Sequence, residues 1–301
     1  MASIVPSITG VDGLSDVVRV LRVWQYEGAP MQLHPGDLGW HWRLGGEPTA
    51  AAVRAWSRDG RILAVGLLDS PRLLRLAVAP EAEHDEELAR QLAADVTRPE
   101  RGALPQGAVS IEARFGGPFR RLLLKDGWEA DEPWTPLRRD LTEPVGLAEA
   151  VEESGARIEV VGPERAHVRA AVQRAAFDGS TFTEERWHAM AAGLPYTDAQ
   201  CLLAYDDRGN AVAAATVWSA GPGRPGLLEP MGVHREYRGH GYGRAITVAA
   251  AAALQKLGSS SAIVCAESSN VAAVATYKSA GFQQLPEVRD LRAPASCEPG
   301  D

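Results

Sequence analysis

Short apolar runs alternate with turn residues along the 301-residue chain, and they come in the same order twice. In the second half, Cys201–Tyr205 and Ala211–Trp218 read as two strands across the turn Asp206-Asp207-Arg208-Gly209-Asn210. In the first half, Ala51–Trp56 and Ile62–Leu68 do so across Ser57-Arg58-Asp59-Gly60. A third run follows in each half, Leu73–Val78 and Leu227–Val233, and then a helical pattern, Glu86–Val96 and Gly243–Leu257. A further strand (Val109–Ala113, Ala262–Ala266) precedes a second helix, which closes at Gly127-Trp128 and Gly281-Phe282, where glycine suits a helix C-terminus. This order predicts an internal duplication of an α/β unit. The stretch from Glu143 to Ala156 is acidic and weakly patterned and reads as a linker with room for a helical turn, which divides the chain into residues 1–142, 143–156 and 157–301.

The two copies differ in chemistry. In the second, the apolar strand ending at Val233 runs into His234-Arg-Glu-Tyr-Arg-Gly-His-Gly-Tyr-Gly-Arg244, which opens an alanine-rich helix. Glycines at 239, 241 and 243 permit close backbone approach. The helix start offers unpaired N–H groups and the positive end of its dipole, with Arg235, Arg238 and Arg244 around it. Such a turn binds phosphate or pyrophosphate. The first copy has Pro80-Glu-Ala-Glu-His-Asp-Glu-Glu-Leu88 there, and Glu81, Glu83, Asp85, Glu86 and Glu87 would satisfy the helix dipole themselves and repel an anion.

Downstream, Ser269 or Asn270 caps a helix on which Ala273 and Tyr277, four residues apart, share a face. Taken alone, Tyr277 reads as a packing aromatic. Together, the strand, Arg-x-x-Gly-x-Gly and Asn-x-x-Ala-x-x-x-Tyr-x-x-x-Gly-Phe resemble the signature of the GNAT superfamily of acetyl-CoA-dependent N-acyltransferases. Residues 157–291 resemble a complete domain of that family and residues 1–142 a degenerate one, in a tandem layout resembling mycothiol synthase-like proteins. The implied fold is α/β (α+β): two tandem domains, each a mixed, mostly antiparallel sheet flanked by helices.

The resemblance implies that the backbone of Met231, Gly232 and Val233 pairs with the pantetheine arm of acetyl-CoA. It implies that amides of Arg238, Gly239, His240, Gly241, Tyr242, Gly243 and Arg244 hold the pyrophosphate, with Asn270 near the pantetheine. Tyr277 would protonate the leaving thiolate, and Glu229 resembles the strand glutamate that serves some members as general base. In the first copy Leu123 stands opposite Tyr277 and Gly116 opposite Asn270, so both groups are missing. The expected activity is direct transfer of an acetyl group to a primary amine of a small molecule. A non-catalytic acetyl-CoA sensor and mycothiol synthesis are the alternatives.

Composition narrows the setting. Hydrophobic content of 45% and charged content of 23% are ordinary for a soluble protein, and no apolar run reaches the roughly 20 residues that span a bilayer. The N-terminus lacks a secretory pattern, and Cys201, Cys265 and Cys297 form neither a disulfide framework nor a metal-ligand spacing, so the expected setting is a reduced cytoplasm. A net charge of −8 disfavours nucleic acid and is compatible with a cationic substrate. The expected partner is a small-molecule amine, with the chain a monomer or homodimer. His234 and His240 flank the loop and read as surface residues. Trp187 and His188 lie on a helix opened by Thr183 and read equally as pocket or core, as do Trp24, Trp40, Trp42 and Trp56.

Overall fold

A computed structural model describes residues 3–105, 107–115 and 117–294. The first half runs through β1 (Val5–Ile8), α1 (Leu14–Val23), α2 (Pro35–His41), α3 (Gly46–Ala52), β2 (Val53–Arg58), β3 (Arg61–Ser70) and β4 (Leu73–Val78). It continues with α4 (Glu86–Val96), β5 (Ser110–Glu112), α5 (Gly117–Lys125) and β6 (Glu129–Asp140). The second comprises α6 (Leu147–Ser154), β7 (Arg157–Val160), α7 (Ala166–Ala176), α8 (Glu184–Ala191), β8 (Ala199–Tyr205), β9 (Ala211–Trp218) and β10 (Gly226–Val233). Then come α9 (Tyr242–Lys256), β11 (Ser261–Glu267), α10 (Val271–Ser279), β12 (Gln283–Gln284) and β13 (Val288–Arg292). The two α/β units expected from the repeated pattern are present, and the acidic stretch after residue 142 carries two turns of helix, α6, packed on α9. Cys297 and Gly116 lie outside the described residues.

All the strands join one continuous sheet, in the order β1-β2-β3-β4-β5-β13-β6-β11-β10-β9-β8-β7, with β12 beside β6. Each half has antiparallel hairpins followed by one parallel pair, β4 with β5 and β10 with β11. The strand that follows the last helix of each half then crosses to the other half. Strand β6 pairs antiparallel with β11 from Trp134↔Glu267 to Asp140↔Ser261, and β13 pairs with β5 through Leu291↔Ile111. The exchanged strands also pair with each other at the centre.

The cores follow the exchange. Leu291 is fully buried among the first-half residues Ile111, Phe119 and Leu123, while Leu137 and Leu141 of the first half are buried with Ala245, Ile246 and Phe282 of the second. Burying a leucine contributes about 1.5–3 kcal/mol, so each half takes apolar stabilisation from a strand of the other. Trp24 and Trp56 belong to the first half's core, whereas Trp40 stacks on Phe182 and Trp42 lies against Gly193 of the second half.

A chain beginning at Arg157 would lack β6, leaving the β11 edge unpaired and the places of Leu137 and Leu141 empty. It is expected to aggregate or to melt without a cooperative transition, whereas a chain beginning at Glu129 regains the strand. Size exclusion and circular dichroism check this; a monomeric, cooperatively melting fragment from Arg157 would contradict the exchange.

Candidate functional site

Strands β10 and β11 pair over only two positions, Gly226↔Ala262 and Leu227↔Ile263. Beyond Leu228 the register of β10 on β9 shifts, so that Glu229 and Pro230 form an irregularity before Met231 resumes pairing opposite Ala215. From there Met231–Val233 is paired with β9, while β11 stays paired with β6. A gap therefore opens in the sheet between Met231–Val233 and the second half of β11. An extended chain can lie in such a gap and use the free backbone groups of its edge.

The gap points at the start of α9. Gly241, at φ +82°, is the N-cap and supplies no side-chain acceptor, so the first-turn amides of Tyr242, Gly243 and Arg244 are left uncapped. Gly239 is also left-handed, at φ +84°. The contrast with α4 is direct: there the Asp85 carboxylate accepts from the amides of Glu87 and Leu88, and Arg58 pairs with Asp85 and Glu87. The anion position at α4 is filled by the protein's own side chain.

The arginines around α9 are engaged locally. Arg238 donates to Ala176 O at 2.8 Å, Arg235 donates to Ala175 O and pairs with Asp178, and Arg244 donates to Ser279 O and pairs with Glu153. They fasten the loop to the C-termini of α7 and α10. His240 contacts the carbonyls of Tyr237 and Arg238, and His234 accepts from the amide of Glu236. Asn270 caps α10 by accepting from Ala273 N at 3.1 Å. Thr183 caps α8 as the sequence predicts; Trp187 is buried against Tyr196, and His188 sits on the exposed side.

Residues 171–282 match the acetyltransferase (GNAT) family. This segment is a GNAT-family domain. Solved structures extend the fold likeness over the whole chain. A tandem GNAT protein from the clavulanic acid biosynthesis pathway, solved without acetyl-CoA, superposes with a TM-score of 0.63 at 16% identity, covering 100% of both chains. A GCN5-related N-acetyltransferase from Sphaerobacter thermophilus gives 0.59 at 18% identity, covering 97% of this chain and 96% of that one. The chain also superposes, at 0.54 and 17% identity, on a fungal multi-domain protein carrying a glucosamine N-acetyltransferase region, over 97% of its own length but 38% of the other. At these identities the likeness speaks for the fold. No curated protein matches the sequence. Among the described residues no helix is long and apolar enough to cross a membrane.

Beside the gap of the GNAT domain lies a cavity of about 120 Å³ at the seam of the two halves. Its floor comes from alternate residues of neighbouring strands, which share one face of the sheet: Arg75 of β4, Glu229 of β10, Cys265 of β11, Trp134 of β6 and Asp290 of β13. Arg75 ties the floor together. Its guanidinium lies 3.0 Å from Asp37, 3.1 Å from Asp69, 3.7 Å from Glu112 and 3.6 Å from Glu229. Arg114 continues the chain to Glu112 at 3.4 Å and Asp290 at 3.3 Å. Burial works against the Arg75 charge, but Glu112, Glu229, Asp37 and Asp69 together outweigh it and its pKa rises.

Five carboxylates share two guanidinium groups, and burial pushes three of them, Asp37, Glu229 and Asp290, upward. Burial raises Asp37, with Arg75 opposing and Glu229 and Glu112 adding to the rise. Burial also raises Glu229, again with Arg75 opposing; the 35% exposure of its side chain opens onto the cavity. Asp290 is pushed up to about 6 by burial, against the pull of Arg114. The thiol of Cys265 is pushed up to about 12 by burial, which makes it an inert lining group.

Tyr277 comes from the opposite side. It is buried in the core formed with α9 and with Val264 and Ala266, whose side chains alternate with that of Cys265. No hydrogen bond to its hydroxyl is found among the described residues, and burial, together with the charges of Glu229 and Cys265, keeps its pKa above the usual value. The gap thus has Glu229 on one face and Tyr277 on the other.

The sequence pointed to Glu229 and Tyr277 but not to Arg75, Arg114, Glu112, Asp37 or Asp290. One signal was available: Arg75 and Glu112 are charges inside apolar strand runs, a placement that requires a partner. Arg75 and Glu229 also stand at equivalent positions of the duplication, separated like Gly127 and Gly281. Another missed contributor is Trp218, whose indole donates to Glu229 O at 2.7 Å. A Cβ at Gly39 of α2 would come within 2.3 Å of its ring. The first half therefore braces the irregularity in β10 from behind.

The unfolded Asp290 carboxyl loses its proton near pH 4, and the folded one retains it to about 6. Over that interval the folded state binds the extra proton, so this group's contribution to stability falls as pH rises through it. A shift of this size corresponds to about 3 kcal/mol. Asp290→Asn is therefore expected to gain up to about 3 kcal/mol relative to the unaltered protein between pH 4 and pH 7, measured by urea unfolding. A difference independent of pH would contradict the raised pKa.

Proposed function

We propose that the chain is an acetyl-CoA-dependent N-acetyltransferase that acts on a primary amine of a small molecule, with the chemistry in the C-terminal GNAT domain (residues 157–301). The observation that carries this reading is the gap between β10 and β11, which leads from the uncapped start of α9 to a carboxylate and a phenol on opposite faces.

The residues fit the coenzyme. The amides of Gly239, His240, Gly241, Tyr242, Gly243 and Arg244, with that of Arg238, would receive the pyrophosphate, and the free edge of Met231, Gly232 and Val233 would receive the pantetheine. Asn270 stands at the head of α10, where it would flank the pantetheine. When bound, acetyl-CoA supplies the acetyl thioester. Those amides of Met231–Val233 that do not face β9 are placed to polarise a carbonyl in the gap.

Proton movement falls to the two flanking side chains. An alkylammonium has a pKa near 10, so the acceptor must lose a proton before it attacks. Glu229 receives it on its carboxylate, whose basicity is raised by burial, while Arg75 at 3.6 Å keeps the ionised form accessible. Tyr277 keeps its proton at neutral pH and holds it on Oη for the departing sulfur. In this scheme Arg75, from the half without a coenzyme site, positions the base.

Isothermal titration is expected to give acetyl-CoA binding that Gly241→Asp abolishes, because the substitution puts a carboxylate at the anion position. Tyr277→Phe is expected to retain binding and to lower CoA release by about 10²–10⁴. Binding that survives Gly241→Asp would sink the coenzyme site; unchanged turnover in Tyr277→Phe would reduce that residue to packing. A protein that binds acetyl-CoA and releases no CoA with any amine would instead be a sensor of the coenzyme.

A further inference from the structure

The seam cavity does not end at its charged groups. It shares Met31, Arg114 and Ile263 with a second pocket of about 480 Å³, so the two adjoin. The second pocket is lined by Tyr26, Pro30, Pro136, Ile263, Pro286 and Val288. The floor is the same sheet face, and its polarity changes within one step of the pleat: Val288 precedes Asp290, Ile263 precedes Cys265, and Leu227 precedes Glu229. The roof is the segment between α1 and α2, which carries Tyr26, Pro30 and Met31. Where pocket and solvent meet, Arg138 is paired with Glu27 at 2.7 Å.

The charged end calls for a cation. Asp37, Glu112, Glu229 and Asp290 line it against Arg75 and Arg114, and both guanidinium groups are already held by carboxylates. The Tyr277 side chain is buried on the far face of the sheet, and no hydrogen bond to its hydroxyl is found among the described residues.

Resting on the N-acetyltransferase reading, we infer that the acceptor is an amine carried on an apolar body, its ammonium seated among the carboxylates of the seam and its apolar part in the proline-lined pocket. One wall of that pocket and its roof come from the half that lacks a coenzyme site, so this half selects the acceptor. A separate opening of about 580 Å³ beside the same cavity, lined by Arg72, Asp131, Glu132 and Glu267, would favour a polar amine instead.

Direct binding of n-alkylamines to the full chain without coenzyme, read by calorimetry, separates these routes. From ethylamine to hexylamine the affinity is expected to climb about fourfold per methylene until the pocket is filled. Phenethylamine is expected to join that trend, and 1,4-butanediamine and glucosamine to bind no tighter than ethylamine. Val288→Asp should flatten the series; Pro286→Asp, on the exposed rim, should do the same and reads the pocket even if the first variant does not fold. A flat series in the unaltered protein, tighter binding of butanediamine or glucosamine, or a series unmoved by Pro286→Asp would overturn the proposal. Length-dependent binding with no CoA release from acetyl-CoA would support the apolar pocket and sink the transferase reading alone.

Discussion

The exchange of β6 and β13 is the constraint on which the rest of the molecule depends. Placing β6 against β11 and β13 against β5 fuses two sheets into one and lets strands from both halves present alternate residues on a single face. Arg75 and Glu112, already paired within the first half, meet Glu229, Cys265 and Asp290 because of that fusion. The seam is therefore part of the site's construction, and the same leucines that hold it together, Leu137 and Leu291, belong each to the other half's core.

On that shared floor the two copies have divided the work. In the second copy glycine leaves the first turn of α9 open and β10 departs from β11, so backbone groups remain for a ligand. In the first copy Asp85 fills the equivalent helix start, and its parallel strands pair over three positions, the last of which, Arg75↔Glu112, brings two charges to the seam. A buried guanidinium among carboxylates is costly to desolvate, and removing one partner leaves a buried charge uncompensated. Here the neighbour is Glu229, whose backbone is held by Trp218 packed under α2.

Much of this was legible in the sequence for a physical reason: the strands and helices of both units are signalled locally, by alternation, caps and turn glycines. The helix over Glu86–Val96 and the strand over Ala211–Trp218 fall where the pattern places them, because hairpin turns and an acidic N-cap fix their bounds. The loop with Gly239 and Gly241 was equally readable, since left-handed backbone demands glycine. What was not legible is long-range pairing. Nothing near Glu129–Asp140 says that it will lie beside Ser261–Glu267, so the seam, and with it Arg75 and Asp290 as neighbours of Glu229, stayed hidden. The arginines of the loop suggested phosphate ligands by charge alone, while the fold occupies them with the ends of α7 and α10.

The position of β13 also orders the assembly of the molecule in time. On the ribosome the first half emerges with β5 made and its neighbour still missing, because that neighbour is residues 288–292. Leu291 is the piece that closes the first core, so neither half reaches its final packing before nearly all the described chain has been translated. Pairings of such sequence separation form slowly. The nascent first half must wait with an open sheet edge.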